Sequence, residues 1–127
     1  MTRRTTSFVP FAPLLLSAAL LAAPAAPALA AADLAPAEHF KLRCAAAFAQ
    51  VAAAQARGDA RAVAYPPLGE RGREYFLRAT NGAMTAKGLT HEELTAILQA
   101  QAVDLARQGA LDAAMPLCLK SLEASGL

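Results

Sequence analysis

The chain has 127 residues, with 12 Lys or Arg, 10 Asp or Glu and 35 alanines. This length fits one small domain and excludes a multi-domain enzyme. Two cysteines are too few for a disulfide-dense mini-scaffold, and the single strongly apolar run, near the N-terminus, excludes a polytopic membrane protein.

The first thirty residues have the order of a secretory signal peptide. Arg3 and Arg4 form a basic start, residues 8–23 form an apolar run, and Ala28-Leu29-Ala30 is a small-residue cleavage motif. The run is short for a membrane-spanning helix, which needs about 20 residues. We therefore expect a signal peptide at 1–30 and a mature domain at 31–127, rather than an uncleaved anchor.

Cleavage between Ala30 and Ala31 is the first expectation, and cleavage after Ala32 is also acceptable. The mature chain then carries 10 basic and 10 acidic residues, so it is formally neutral. It has no polybasic stretch, and this argues against nucleic-acid binding and against stable membrane anchoring. The expected location is the periplasm or the extracellular medium.

The first predicted helix covers residues 37–57. One apolar stripe repeats with helical spacing along it, formed by Phe40, Cys44, Phe48, Val51 and Gln55. Gly58 and Asp59 end the helix, and residues 60–64 can add a further turn. The prolines of Tyr65-Pro66-Pro67 then predict an extended corner, because helix is disfavoured before proline.

The second predicted helix runs from about Glu70 to Thr85. Its expected buried face contains Gly72, Phe76, Ala79 and Ala83, with Tyr75 at the border. Three arginines (Arg71, Arg73 and Arg78) suggest an anion site. The interleaved acids Glu70 and Glu74 instead favour a solvated charged face, with Glu74 and Arg78 paired across one turn.

The third predicted helix has the clearest start signal. Thr90-His91-Glu92-Glu93 is a capping box, and Leu89 and Leu94 are placed to form a hydrophobic staple across it. Its apolar face comprises Leu94, Ile97, Leu98, Gln101, Ala102 and Leu105. Gly109 is expected to end the segment.

The fourth predicted helix begins near Asp112 and ends by Ser125, which places Pro116 in its first turn. Its expected buried side contains Met115, Cys118, Leu119 and Leu122. Because no useful β-alternation occurs, the predicted fold is all-α. It is a small bundle of about four helices, ordered over roughly 37–125.

The two cysteines lie on apolar faces of the first and last predicted helices. In an oxidising compartment we expect a structural disulfide between Cys44 and Cys118. A metal site joining them to His39 and His91 is disfavoured, because these residues lack ligand spacing. We find no catalytic motif and no cofactor-binding motif, so no catalytic, metal or cofactor residue is assigned and an enzyme is not expected.

Several segments together resemble small uncharacterised exported two-cysteine helical proteins of alphaproteobacterial type. They are Cys44 in its alanine-rich helix, Ala64-Tyr65-Pro66-Pro67-Leu68, residues 70–76 and Met115-Pro116-Leu117-Cys118. This resemblance implies no known activity. The chain is also distantly similar to small periplasmic acid-stress chaperones, with which it shares size, expected compartment and cysteine number.

These observations favour a non-catalytic periplasmic interaction or stress-related protein with an unidentified protein partner or client. The alternative is a small-ligand or inhibitor-type binding module with a groove between helices. An exposed apolar patch would indicate a protein partner. An enclosed pocket with converging polar groups would indicate a small ligand, and the candidate residues for it are Tyr65, Arg71 and Tyr75.

Overall fold

In the computed structural model, residues 33–127 are described, and they form four α-helices and one 3₁₀ turn. The helices are α1 (Pro36–Ala56), α2 (Arg71–Lys87), α3 (His91–Leu105) and α4 (Ala110–Ala124), and the turn is Ala62–Ala64. No strand occurs in this range, so the predicted all-α bundle is confirmed. The predicted signal peptide and its cleavage between Ala30 and Ala31 lie outside the described residues.

Helix α1 is the centre of the bundle and contacts each of the other three helices. Of the predicted stripe, Cys44, Phe48 and Val51 are buried, while Phe40 and Gln55 are half-buried. Its other buried residues are Leu42, Ala45, Ala46 and Ala47. Because alanine combines the highest helix propensity with a small side chain, α1 can be surrounded closely by neighbouring helices.

The half-buried Gln55 organises the proline corner that follows α1. Its side-chain amide donates to the carbonyls of Ala62 and Pro66, at 3.0 and 2.9 Å, and its carbonyl accepts from the backbone N–H of Leu68 at 3.0 Å. These bonds satisfy backbone groups of a segment that has no regular secondary structure of its own. The corner thereby places the fully buried side chain of Leu68 in the core beside α1.

Helix α2 approaches α1 at Gly72. A Cβ atom added to Gly72 would lie 3.1 Å from the Cβ of Phe48 and 3.3 Å from that of Leu68. This contact orients α2 so that Tyr75 is buried, with its ring edge-to-face against Phe48 at a centroid distance of 5.1 Å. The prediction for Phe76 is therefore wrong, since Phe76 is only half-buried beside the core and Tyr75 takes the core position.

Two glycines of α2 make a matched test of this approach. Gly72→Ala should destabilise the domain by about 1 kcal/mol, because the neighbouring Cβ atoms are fixed to backbone and cannot rotate away. Gly82→Ala, where an added Cβ meets nothing within 4 Å, should stabilise it by about 0.5–1 kcal/mol. Urea unfolding of the two variants measures the difference, and equal effects would contradict the close packing at Gly72.

The start of α3 has the predicted capping box. The Oγ1 of Thr90 accepts from the N–H of Glu93 at 3.2 Å, and the carboxylate of Glu93 accepts from the N–H of Thr90 at 2.8 Å. Leu89 and Leu94 are both buried beside the cap, as the staple requires. Just before it, Gly88 ends α2 with a φ of 64°, in the left-handed region that favours glycine.

Thr90→Ala should lower the free energy of unfolding by about 1 kcal/mol, because the N–H of Glu93 loses its acceptor. Thr85→Ala, at an exposed position in α2, is the control and should change stability by no more than about 0.5 kcal/mol, in the stabilising direction. Thermal and urea unfolding are the measurements. An unchanged midpoint for Thr90→Ala would show that the cap contributes nothing.

The predicted start of α4 is wrong. The helix begins at Ala110, directly after Gly109 in a left-handed conformation with a φ of 76°, and not at Asp112. Pro116 is consequently the seventh helical residue and cannot donate to the carbonyl of Asp112. Buried side chains on both sides of the proline hold the helix to the core, namely Met115, Cys118 and Leu122, whereas Leu119 is half-buried.

The predicted disulfide joins α1 to α4. Cys44 and Cys118 are bonded, with their Cα atoms 5.1 Å apart, inside the 4.4–6.8 Å range that disulfides require. Both residues are fully buried in the same cluster as Phe48 and Met115. The bond therefore ties the first and last helices together at the core.

Candidate functional site

An open groove of about 410 Å³ lies between α1 and α3, with one wall from α2. We call it the apolar groove. Its surface is mainly apolar, and no charged side chain lines it. The lining residues are Ala46, Ala49, Gln50, Ala53, Phe76, Thr95, Leu98, Gln99 and Ala102.

The floor of the apolar groove consists of small side chains on α1. Ala46, Ala49 and Ala53 are spaced by three and four residues, so they follow one face of that helix. The half-buried Phe76 and Leu98 form apolar walls on α2 and α3. A concave surface with small residues below and two large apolar side chains at the sides can receive an apolar group from outside.

Polar contacts between α1 and α3 fix the spacing of the two helices that bound the groove. Gln50 donates to the carbonyl of Ala102 at 2.9 Å. Arg43 donates to Asp104 at 2.6 Å and to the side-chain oxygen of Gln101 at 3.1 Å. Because these bonds join residues 43–50 of α1 to one turn of α3, the two helices are held together and the groove is present in the folded domain without a partner.

The same polar contacts extend to His39 on α1. Since the oxygen of Gln101 accepts from Arg43, its amide nitrogen donates to the Nε2 of His39, 3.1 Å away. The hydrogen bond from Arg43 lowers the pKa of the Asp104 carboxyl below its usual 3.8. Desolvation raises this pKa, and the charges of Arg43 and Arg107 lower it further.

The three ligand-site residues proposed from the sequence do not meet in one site. Tyr65 lines a cavity beside the loop between α3 and α4, and its hydroxyl donates to Asp112 at 2.5 Å. Arg71 donates to the backbone carbonyl of Leu127. Tyr75 lies in a third cleft, between α1, α2 and α4. The hydroxyl of Tyr75 lies 2.7 Å from the Oγ of Ser121, so each tyrosine has its own polar partner.

The contact with Asp112 raises the pKa of the Tyr65 phenol above its usual 10.0, through the hydrogen bond first, then desolvation and the carboxylate charge. We expect Asp112→Ala to lower that pKa, read as absorbance at 295 nm in a Tyr75→Phe background. The contact stabilises the fold below pH 10.0 and loses this effect as the pH rises through the folded-state pKa. An unchanged phenol pKa in Asp112→Ala would contradict the hydrogen bond.

The apolar groove was not predicted from the sequence. Phe76 was assigned to the core, and the exposure of Ala49 and Ala53 carries no sequence signal, because alanine occurs both inside and outside helical bundles. One indication was available in the spacing of Leu98 and Ala102. They share the apolar face of α3 with four residues that are fully packed in the core, so that face is wider than one partner helix needs.

The residues considered as metal ligands in the sequence are not gathered into one site. His91 is exposed at the first position of α3, and the cysteines are joined in the disulfide. Within residues 33–127, no cluster of three or more His, Cys, Asp or Glu side chains is positioned to hold a metal ion. Across that same range, every helix is too short or too polar to pass through a bilayer.

Comparison of the chain with models of known protein families, with curated proteins and with solved structures finds no match.

Proposed function

We propose that this protein is a non-catalytic interaction protein that binds an apolar helical segment of a partner protein in the apolar groove. The observation that carries the proposal is the groove itself, which is open, pre-formed and free of charged lining residues. An exposed apolar concavity of this kind is a feature of partner-binding surfaces.

The shape of the groove favours a helix as the bound segment. Two helices with their spacing fixed by hydrogen bonds leave a channel, and the alanines on α1 allow another helix to come close. Large apolar side chains one turn apart on the partner would pack between Phe76 and Leu98. Gln50, Thr95 and Gln99 contribute polar groups beside this surface and can bond to the polar side of the partner.

The proposed place of action is the periplasm or the extracellular medium. Two observations support it, namely the signal-peptide order of residues 1–30 and a core disulfide, which persists in oxidising compartments. A stress-related role, in which the groove shields an exposed apolar segment of a client, is the specific form of the proposal. N-terminal sequencing of the exported protein should begin at Ala31 or Asp33, and intact Met1 on membrane-bound protein would contradict export.

Binding can be tested with a designed 16-residue peptide that has leucines on one helical face and alternating Glu and Lys elsewhere. Titration into the protein labelled at alanine methyl groups should give saturable NMR shifts at Ala49, Ala53 and Ala102. Ala53→Glu places a charge in the groove at an exposed position, so it should weaken binding at least tenfold without unfolding the domain.

Ala100→Glu is the matched control, since Ala100 is exposed on α3 and does not line the groove. It should bind the peptide as the wild type does. Shifts that do not saturate, or equal affinities for Ala53→Glu and Ala100→Glu, would refute the proposal.

A small-ligand module is the alternative function, and the separate cleft between α1, α2 and α4 is the observation in its favour.

A further inference from the structure

A second concavity of about 350 Å³ lies where α1, α2 and α4 meet. We call it the cationic cleft. It differs from the apolar groove in its chemistry, because two basic side chains and three hydroxyl groups line it together with two alanines. The lining residues are Lys41, Tyr75, Arg78, Ala79, Ser121, Ala124 and Ser125.

The cleft contains a pair of hydroxyl groups, one of which has an unused O–H donor. Tyr75 is 5% exposed, and its hydroxyl lies 2.7 Å from the Oγ of Ser121. Two hydroxyls that share one hydrogen bond use one of their two protons, so the other is free for an acceptor. Within residues 33–127 neither hydroxyl makes another hydrogen bond. The unused O–H can therefore donate to a ligand in the cleft.

The basic residues keep donors free as well. Arg78 uses its Nε on Glu74 at 2.9 Å and directs Nη1 at the carbonyl of Ser125 at 3.4 Å, so its Nη2 has no partner within the described chain. Lys41 forms no ion pair in residues 33–127. Glu74 offsets the charge of Arg78, and the carboxylate-free lining therefore carries a surplus of one positive charge.

The geometry points to a binding site for a small organic monocarboxylate in the cationic cleft. A surplus of one positive charge matches a carboxylate, with one negative charge, better than phosphate, which carries about 1.5 negative charges at neutral pH. Free N–H donors of Arg78 suit a carboxylate oxygen, and Lys41 and the hydroxyl pair supply further donors. Ala79, Ala124 and the ring of Tyr75 provide apolar surface for a short carbon chain.

This site lies apart from the apolar groove, so its test is independent of the partner-binding proposal. The probe is butyrate, titrated into the ¹⁵N-labelled protein at pH 7 and constant ionic strength, with neutral butyramide as the matched control. Butyrate should give saturable shifts at the amides of the residues lining the cleft, and butyramide should give none. Inorganic phosphate should bind more weakly than butyrate.

Three variants locate the site. Lys41→Gln and Arg78→Gln should each weaken butyrate binding at least fivefold. Tyr75→Phe should weaken it about threefold, because it removes one hydroxyl of the pair that donates to the carboxylate. Lys120→Gln removes an exposed charge of α4 that does not line the cleft, and it should bind as the wild type does.

Four results would overturn the inference. They are equal binding of butyrate and butyramide, shifts that rise linearly without saturation, tighter binding of phosphate, or equal loss in Lys120→Gln and Lys41→Gln. Circular dichroism of each variant checks that the helical fold is retained, and Arg78→Lys, which keeps the charge, should recover part of the affinity lost in Arg78→Gln.

Discussion

Replacing both cysteines, as Cys44→Ala/Cys118→Ala, should lower the free energy of unfolding by about 4–5 kcal/mol, because the disulfide closes a long loop of the unfolded chain. The bonded residues are 74 positions apart, and the loss of chain entropy on closure grows with that separation. For a domain of this size such a loss approaches the total stability. Urea unfolding of the oxidised wild type and the double variant measures it.

Reduction provides the control for the disulfide prediction. Dithiothreitol should destabilise the wild type by an amount close to the effect of the double substitution, and it should leave the double variant unchanged. Both cysteines are fully buried and pack as small hydrophobic residues when reduced, so the reduced protein should keep its helical circular dichroism while folded. Two reactive thiols per chain in denatured, non-reduced protein would refute the bond.

The parts of the fold that could be predicted were those encoded by neighbouring residues. The start of α3 depends on Thr90, Glu93 and two flanking leucines, all within six residues, and it was predicted correctly. The stripe on α1 likewise follows from local periodicity. Even the disulfide needed only compartment chemistry and two apolar faces, since the two stripes have to meet in a bundle this small.

The errors occurred where contacts distant in sequence decide the structure. Proline preference placed Pro116 in a first turn, but α4 begins earlier because Gly109 adopts a left-handed conformation, and buried side chains on both sides of the proline hold the helix. Periodicity placed both Tyr75 and Phe76 near one face. Which ring enters the core is decided by the approach of Gly72 to Phe48, and this cannot be seen in α2 alone.

The candidate sites were hidden for related reasons. The apolar groove depends on which alanines the bundle leaves uncovered, and alanine shows no preference that the sequence reveals. The cationic cleft joins Lys41, Arg78 and Ser121 from three helices. Of its residues, Tyr75 was proposed but grouped with Tyr65 and Arg71, which line other cavities. Arg78 was considered for an anion site with Arg71 and Arg73, but the interleaved acids favoured a solvated charged face.

Phe48 on α1 and Phe76 on α2 should respond very differently to truncation. Phe48→Ala should destabilise the domain by about 3–5 kcal/mol, since it removes a fully buried ring and leaves a cavity. Gly72 has no side chain to fill that space, and Tyr75 loses the ring that it contacts edge-to-face. Because α1 and α2 are already in close contact at Gly72, the helices cannot move together to fill the cavity that Phe48→Ala leaves.

Phe76→Ala is the matched control for Phe48→Ala, because the same ring is removed from the half-exposed wall of the apolar groove. It should cost about 1 kcal/mol, in proportion to the smaller apolar area it buries. Urea unfolding compares the two variants, and equal losses would contradict the core position of Phe48. Phe76→Ala should leave the domain folded and should weaken binding of the leucine-faced peptide. This result would show that Phe76 acts in binding and contributes little to stability.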